Sequence, residues 1–379
     1  MAERDPGLRR DDDGGSRLTQ AEAFARIRLL RSPRIGPVSY RQLLARFGSA
    51  AAALEMLPEI GGRGGKAYTP APAAQVEAEV AATKRAGAKY LFHDQPDYPR
   101  LLAELDSAPP IITYRGHLAL LDKPSVAVVG ARNASAGAVK LARDFASGLA
   151  EAGFTVVSGL ARGIDGAAHE GAFPRTAGVI ASGINQAYPP QHADLQERIA
   201  HEGLLIAEQP PGTEPRAQNF PSRNRIIAGL ASGTLVVEAA PKSGSLITAR
   251  LAAEFGREVM AVPGSPLDAR SQGCNQLIRE GAVLVQGVED VVELLSGFDG
   301  VPRSSFREAA GAAFEHVPEE LAEAEPADVE ALLSGAPVPV DELVRQSGTG
   351  TAAVQLALLE LEIAGRLERH AGGRVSLVG

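Results

Sequence analysis

The spacing of apolar positions changes twice along this chain. From Leu18 it is helical: Leu29 and Leu30 precede a break at Pro33, and after Ile35-Gly36-Pro37 the residues Leu43, Leu44 and Phe47 recur at helical spacing before Gly48. A stretch rich in Gly and Pro, 61–72, interrupts the pattern, and a further helix is predicted from Ala73 to Ala86. From Lys89 short apolar runs alternate with segments of helix length, which predicts repeated βα units around a parallel sheet. The runs are Tyr90–His93, Val126–Gly130, Phe154–Ser158, Gly178–Ser182, Leu204–Ala207, Leu235–Glu238, Glu258–Val262 and Ala282–Val285, giving roughly eight strands. Beyond Leu295 the alternation stops. Residues 297–326 are rich in Gly, Pro, Ala and acids, and 327–379 carry three helical stretches and a terminal hairpin over 369–375.

This pattern predicts a disordered polar tail over 1–17, with Asp11, Asp12 and Asp13 in a row, and a helical domain over 18–86. The turn at Ile35-Gly36-Pro37 is like half of a helix-hairpin-helix or SAM-type module, whose backbone amides can hold a DNA phosphate; an ordinary packing turn is the alternative. The α/β domain over 87–296 is expected to be a Rossmann-like, doubly wound, mostly parallel sheet, followed by a linker and a winged-helix domain over 327–379.

Length agrees with several domains, because 379 residues exceed what one core usually organises. Trp is absent and aromatics make up 4%, so Leu, Val, Ile and Ala must fill the cores. The single cysteine, Cys274, excludes an intramolecular disulfide, and no Cys/His cluster has zinc-like spacing, so no metal is expected. The start, MAERDPGLRRDDDGGSR, has no apolar signal region, and no membrane-length apolar run occurs, so a cytoplasmic protein without a membrane partner is expected. A net charge of -8 argues against a polyanionic partner. Its distribution reverses that: acids gather between Glu315 and Glu330, whereas Arg132, Arg162, Arg223, Arg225, Lys242 and Arg250 stand close to glycine motifs.

Those motifs fall where strands end and helices begin, the place at which free amides and helix dipoles favour anions. They are Gly130-Ala131-Arg132, Ser158-Gly159 with Arg162-Gly163, Ser182-Gly183, Lys242-Ser243-Gly244-Ser245 with Thr248 one turn later, Pro263-Gly264 and Gly273. One such loop is explained by turn geometry alone. Several together, three of them with Arg or Lys, point to an anion crevice. The dinucleotide fingerprint lacks its second glycine and no Walker A motif occurs, so neither a nicotinamide cofactor nor ATP is expected. Arg223 and Arg225 flank Asn224 as fork-shaped donors, and Phe220 offers a stacking face. The alternatives are a core plug for Phe220 and a solvated helix face for the arginines.

In order along the chain, Gly130-x-Arg132, Ser158-Gly-Leu-Ala-Arg-Gly-Ile-Asp165, Phe220-Pro-Ser-Arg-Asn-Arg-Ile-Ile227, Ser243-Gly-Ser-Leu-Ile-Thr248, Ala261-Val-Pro-Gly264 and Leu277-Ile-Arg-Glu-Gly-Ala282 resemble the motif series of the DprA (Smf) family. The resemblance covers residues 90–295 most strongly. It implies a protein that binds and protects single-stranded DNA, helps load the recombinase RecA onto it during natural transformation, and works as a homodimer through the Rossmann-like domain. Ala131 stands where the family usually has serine, which leaves Arg132 and the neighbouring amides to hold that end of the crevice.

Catalysis is not expected. Phosphoribohydrolases of the same fold group place a catalytic glutamate after a glycine loop, where this chain has Thr248 and Ala249. Asp165 and His169 stand four apart, and Glu208 and Glu238 lie near strand ends, but capping and loop-holding roles account for them. A nucleotide hydrolase and a small-nucleotide sensor remain the alternatives. In the C-terminal domain the predicted recognition helix, from Thr351 through Gln355, Leu359, Glu360 and Glu362, carries acids where phosphates would approach. Protein contact suits it better than reading DNA.

Overall fold

The computed structural model describes residues 18–62, 68–296, 329–370 and 372–378. The tail expected over 1–17 and the linker expected over 297–326 lie outside the described residues. Four helices come first: α1 (Gln20–Arg31), α2 (Pro37–Phe47), α3 (Ala50–Gly62) and α4 (Ala73–Arg85). Thr19 caps α1 by accepting from the Glu22 amide at 3.2 Å. Pro37 opens α2 and Gly48, in the left-handed region at φ 73°, closes it. Leu29, Leu43 and Leu57 are fully buried between these helices.

The central domain runs β1 (Lys89–Phe92), α5 (Arg100–Ala103), β2 (Ile111–Gly116), β3 (Ser125–Val129), α6 (Ala136–Glu151), β4 (Thr155–Ser158), α7 (Ile164–Ala172), β5 (Thr176–Gly183), α8 (Ala193–Glu202) and β6 (Leu204–Gln209). It continues through α9 (Asn219–Leu230), β7 (Gly233–Val236), α10 (Gly244–Glu254), β8 (Glu258–Ala261), α11 (Gln272–Arg279), β9 (Val283–Leu284) and α12 (Val288–Ser296). The nine strands form one sheet in the order β1-β2-β6-β5-β4-β3-β7-β8-β9. From β6 to β9 every pairing is parallel, while β1 and β2 form an antiparallel edge. Strand β2 is the element missed by the hydrophobic reading, because Ile111-Ile112 behind two prolines gives way at once to Thr113-Tyr114-Arg115.

Alternate strand residues face opposite layers. Ala127 and Val129 pack with Ile226, Leu246 and Leu277 from α9, α10 and α11, whereas Val126 and Val128 pack with Phe145, Ile164 and Val291 from α6, α7 and α12. The order of strands reverses between β3 and β7, so the loops leaving these two strands diverge to opposite faces and open a crevice at their carboxyl ends. Among the described residues no helix is long and apolar enough to cross a membrane.

The last domain is a winged helix: β10 (Val338–Pro339), α13 (Val340–Ser347), α14 (Thr351–Ile363), β11 (Leu367–His370) and β12 (Arg374–Leu377), with its strands ordered β10-β12-β11. The first of the three helical stretches expected here is a single 3-10 turn, Glu330–Leu332. Helix α14 packs two ways. Val354 and Leu358 join the winged-helix core, while Leu359 and Ile363 join the core of the N-terminal helices. Ser39 Oγ donates to Glu362 at 2.8 Å and Gln42 Nε2 to Gln355 Oε1 at 2.9 Å across that junction. Gln355, Leu359 and Glu362 of the predicted recognition helix thus face the N-terminal helices of the same chain.

Candidate nucleic-acid interface

Glycine sets the closest approach in the crevice. At Gly130 an added Cβ would lie 2.5 Å from Ile164 Cγ1 and 3.0 Å from the Glu238 carbonyl oxygen, so the loop after β3 can cross the end of β7 only without a side chain. The Ala131 amide donates to that carbonyl at 2.7 Å. The Glu238 carboxylate then accepts from Ser135 N at 3.0 Å and Ser135 Oγ at 2.7 Å, while Ser135 Oγ caps α6 by accepting from the Ala138 amide. The protein's own carboxylate therefore fills the anion position at the start of α6.

Several residues expected in the site hold it together from within. Ser158 is fully buried and its hydroxyl donates to the Val128 carbonyl at 2.7 Å. Arg223 is buried: Nη1 donates to the carbonyls of Gly159 and, at 2.7 Å, Val179, and Nε donates to Asn224 Oδ1 at 3.2 Å. It ties the end of β4 to the middle of β5, and Gly159 is glycine because a Cβ there would enter the guanidinium. Burial pushes the Arg223 pKa down to about 10, with the Asp165 carboxylate opposing, so it stays charged at neutral pH. Arg225 donates to the Ser107 carbonyl at 2.6 Å and pairs with Glu208. Both arginines are braces rather than open forks. Asn224 reaches the Gly244 carbonyl at 3.4 Å, Ser243 and Ser245 share a hydroxyl hydrogen bond of 2.8 Å, and Thr248 is buried.

The acid and base candidates are also occupied. Asp165 is buried and accepts from the Ala161 amide at 3.3 Å; burial raises its pKa. His169 is fully buried, and burial foremost pushes its pKa down to about 3. Thr176 Oγ1 donates to the Val156 carbonyl, so it accepts from His169 Nδ1 at 2.7 Å, which leaves Nε2 to accept from the Leu160 amide at 3.3 Å. A neutral histidine with both nitrogens engaged holds Leu160 in the left-handed region, φ 57°. Among the described residues no group of three or more His, Cys, Asp or Glu could hold a metal ion.

What faces solvent is a small set. Arg132, Arg162 and Lys242 are exposed, and among the described residues no carboxylate is ion-paired with them. The Arg132 guanidinium lies 4.9 Å from the centroid of the half-buried Phe220 ring, and Gly163, at φ 76°, turns the chain beneath it. Tyr188, which the motif reading missed, packs its ring 5.7 Å from that of Phe220. Its signal was an aromatic before two prolines in the loop after β5. Arg132, Gly159, Arg162, Tyr188, Phe220 and Arg223 line one cleft, while Pro241 lines a separate depression with Gln272, Asn275 and Arg279. The residues expected in the crevice thus do not all line one cleft: Lys242 lies outside it, with a strained φ of 71°.

The central domain, residues 89–296, matches the family described as DNA recombination-mediator protein A. Residues 20–82 match the DprA-like N-terminal HHH domain and 314–373 the DprA winged helix domain. Protein Smf of Synechocystis is 43% identical over 221 residues, covering 56% of this chain and 55% of that protein, so the chain spans little more than half of this relative. The X-ray structure of DNA processing protein A from Streptococcus pneumoniae superposes with a TM-score of 0.61 at 35% identity, covering 73% of this chain and 98% of that one. DNA processing protein A from Helicobacter pylori, whose structure concerns its single-stranded DNA binding mode, gives 0.51 at 28% identity over 55% of this chain and 95% of the other. Three domain matches in order, the central one covering more than half the chain, show that the chain belongs to the DprA (Smf) family of DNA-processing proteins.

Proposed function

We propose that this chain binds and protects single-stranded DNA along the strand ends of the central sheet and delivers it to the recombinase RecA in the cytoplasm during DNA uptake. The observation that carries the reading is Arg132, an exposed cation stacked on Phe220 and free to turn toward a phosphate. Flexible single strands present phosphates and bases together, which suits cations interleaved with aromatic rings. The H. pylori relative, studied for binding single-stranded DNA, supports it. Binding without chemistry is the reading favoured here, because Asp165, His169, Glu208 and Glu238 all make internal bonds. A homodimer through the central domain is supported by β9, a sheet edge with Leu284 46% exposed. Titrating a long oligonucleotide in a gel shift, with duplex and mononucleotide competitors, tests the reading. Affinity should fall steeply with salt and resist both competitors; equal affinity at low and high salt overturns it.

A further inference from the structure

We propose that the winged helix shields the turn of the N-terminal helices from nucleic acid, its Glu362 carboxylate filling the place that a strand phosphate takes once the carboxylate swings out; the inference rests on the single-strand reading above. Helix α2 starts with an anion position that its own segment leaves open. Gly36, the N-cap, has no side chain to accept from the first amides, and Pro37 has no amide hydrogen. The first intrahelical bond is Tyr40 N to the Gly36 carbonyl at 2.9 Å, so the Val38 and Ser39 amides precede it and the dipole of an eleven-residue helix favours a negative charge there. A cation stands in the turn before it. Arg34 is exposed, in the left-handed region at φ 64°, with its guanidinium 5.5 Å from the centroid of the Tyr68 ring, and among the described residues it forms no ion pair. Tyr68 in turn donates to the Pro33 carbonyl at 2.7 Å and fixes the turn.

What fills the position comes from another domain. Ser39, fully buried, donates through Oγ to Glu362 Oε2 at 2.8 Å, and Arg369 Nε donates to the same oxygen at 2.9 Å. Glu362 is badly placed for its own helix: it stands in the last turn of α14, which carries no basic residue, and the dipole there disfavours a carboxylate. It suits the start of α2 instead. The turn that follows closes over the cation, since a Cβ at Gly365 would lie 2.3 Å from Arg34 Nη1. The carboxylate also leaves a donor unused, because Arg369 Nη2 is buried without a hydrogen-bond partner, whereas a phosphate engages an arginine fork through two donors. Only the Glu362 side chain has to swing out, so Leu359 and Ile363 stay packed in the N-terminal core. A free phosphate competes poorly with a carboxylate tethered at the site. A strand already held on the central sheet presents its phosphates at high effective concentration. The ligand class is therefore the phosphodiester backbone of a long strand, taken without regard to base.

The test measures binding of a long oligothymidylate to the full chain by fluorescence anisotropy over a range of salt. Glu362→Gln, which keeps the shape of the side chain and removes its charge, should bind about fivefold more tightly and steepen log affinity against log salt by about 0.7, one further phosphate on a single strand. Glu362→Ala should show the same gain, and neither a folding defect nor lost packing produces an added phosphate contact. Adding Arg34→Gln to Glu362→Gln should return both quantities to the parent's. Inorganic phosphate should displace the strand from Glu362→Gln no better than chloride at equal ionic strength. The shield is overturned if both charge-removing variants keep the parent's affinity and slope, or if Arg34→Gln leaves the gain in place. A gain that inorganic phosphate alone erases overturns the assignment to a strand. If Arg132→Ala and Lys242→Ala bind the strand like the parent, it is the single-strand reading that has failed.

Discussion

Replacing Arg223 by alanine separates a brace from a binding residue within one motif. The substitution removes the donors from the Gly159 carbonyl just past β4 and the Val179 carbonyl within β5, and takes the nearby positive charge from buried Asp165. Each buried acceptor left unpaired costs about 1–3 kcal/mol, and an unpaired buried charge adds to that, so the loss is about 4 kcal/mol. For a domain of this size that lowers Tm on the order of 10 °C. Arg132→Ala is the matched control, because its exposed guanidinium makes one cation–π contact worth about 0.5–1 kcal/mol. It should melt close to the parent, yet lower the slope of log affinity against log salt by about 0.7, one phosphate on a single strand. Scanning calorimetry and salt-dependent fluorescence anisotropy on the two variants give the four numbers. If Arg223→Ala melts with the parent while losing strand affinity, its guanidinium is an open donor and the brace is wrong.

Three further outcomes follow from the same contacts. His169 resists protonation in the folded chain, its pKa moved from 6.5 to about 3, whereas the unfolded chain takes up a proton below about 6.5. Stability from this group is complete above that pH and falls as pH drops toward the folded value, by about 2 kcal/mol between pH 6.5 and 5; His169→Gln should flatten this part of the Tm–pH curve. Lys242 pays for a left-handed backbone, so Lys242→Gly should raise stability by about 1 kcal/mol in urea melts while weakening strand binding. Ile363→Asp buries an unpaired charge where α14 meets the N-terminal helices, and should cost more than about 3 kcal/mol and expose both end domains to limited proteolysis.

The strand ends were legible because glycine, serine and arginine gather there, and every strand of the central sheet except β2 falls within a residue or two of its apolar run. Which arginines are free was not legible from the motif alone. A helical reading of 219–230 would have found it, since Asn219, Arg223, Ile226 and Leu230 recur at intervals of four, three and four and all are buried. Arg132 has no such stripe around it. Tyr188 was invisible for a different reason: its neighbour in the cleft, Phe220, lies on a separate element, and only the fold joins them. Helix α14 carried a signal that went unread, because its apolar residues Val354, Leu356, Leu358, Leu359, Leu361 and Ile363 do not keep to one stripe and so must be covered on more than one side.

That double covering changes how truncations should be understood. Leu359 and Ile363 are part of the hydrophobic interior that α1, α2 and α3 build around Leu29, Leu43 and Leu57. A chain cut before the winged helix is therefore missing two pieces of a core that lies at its other end. Function lost in such a fragment would report the unravelling of its first helices, and a C-terminal role in grasping DNA could be credited to what is a fault of architecture at the N-terminus.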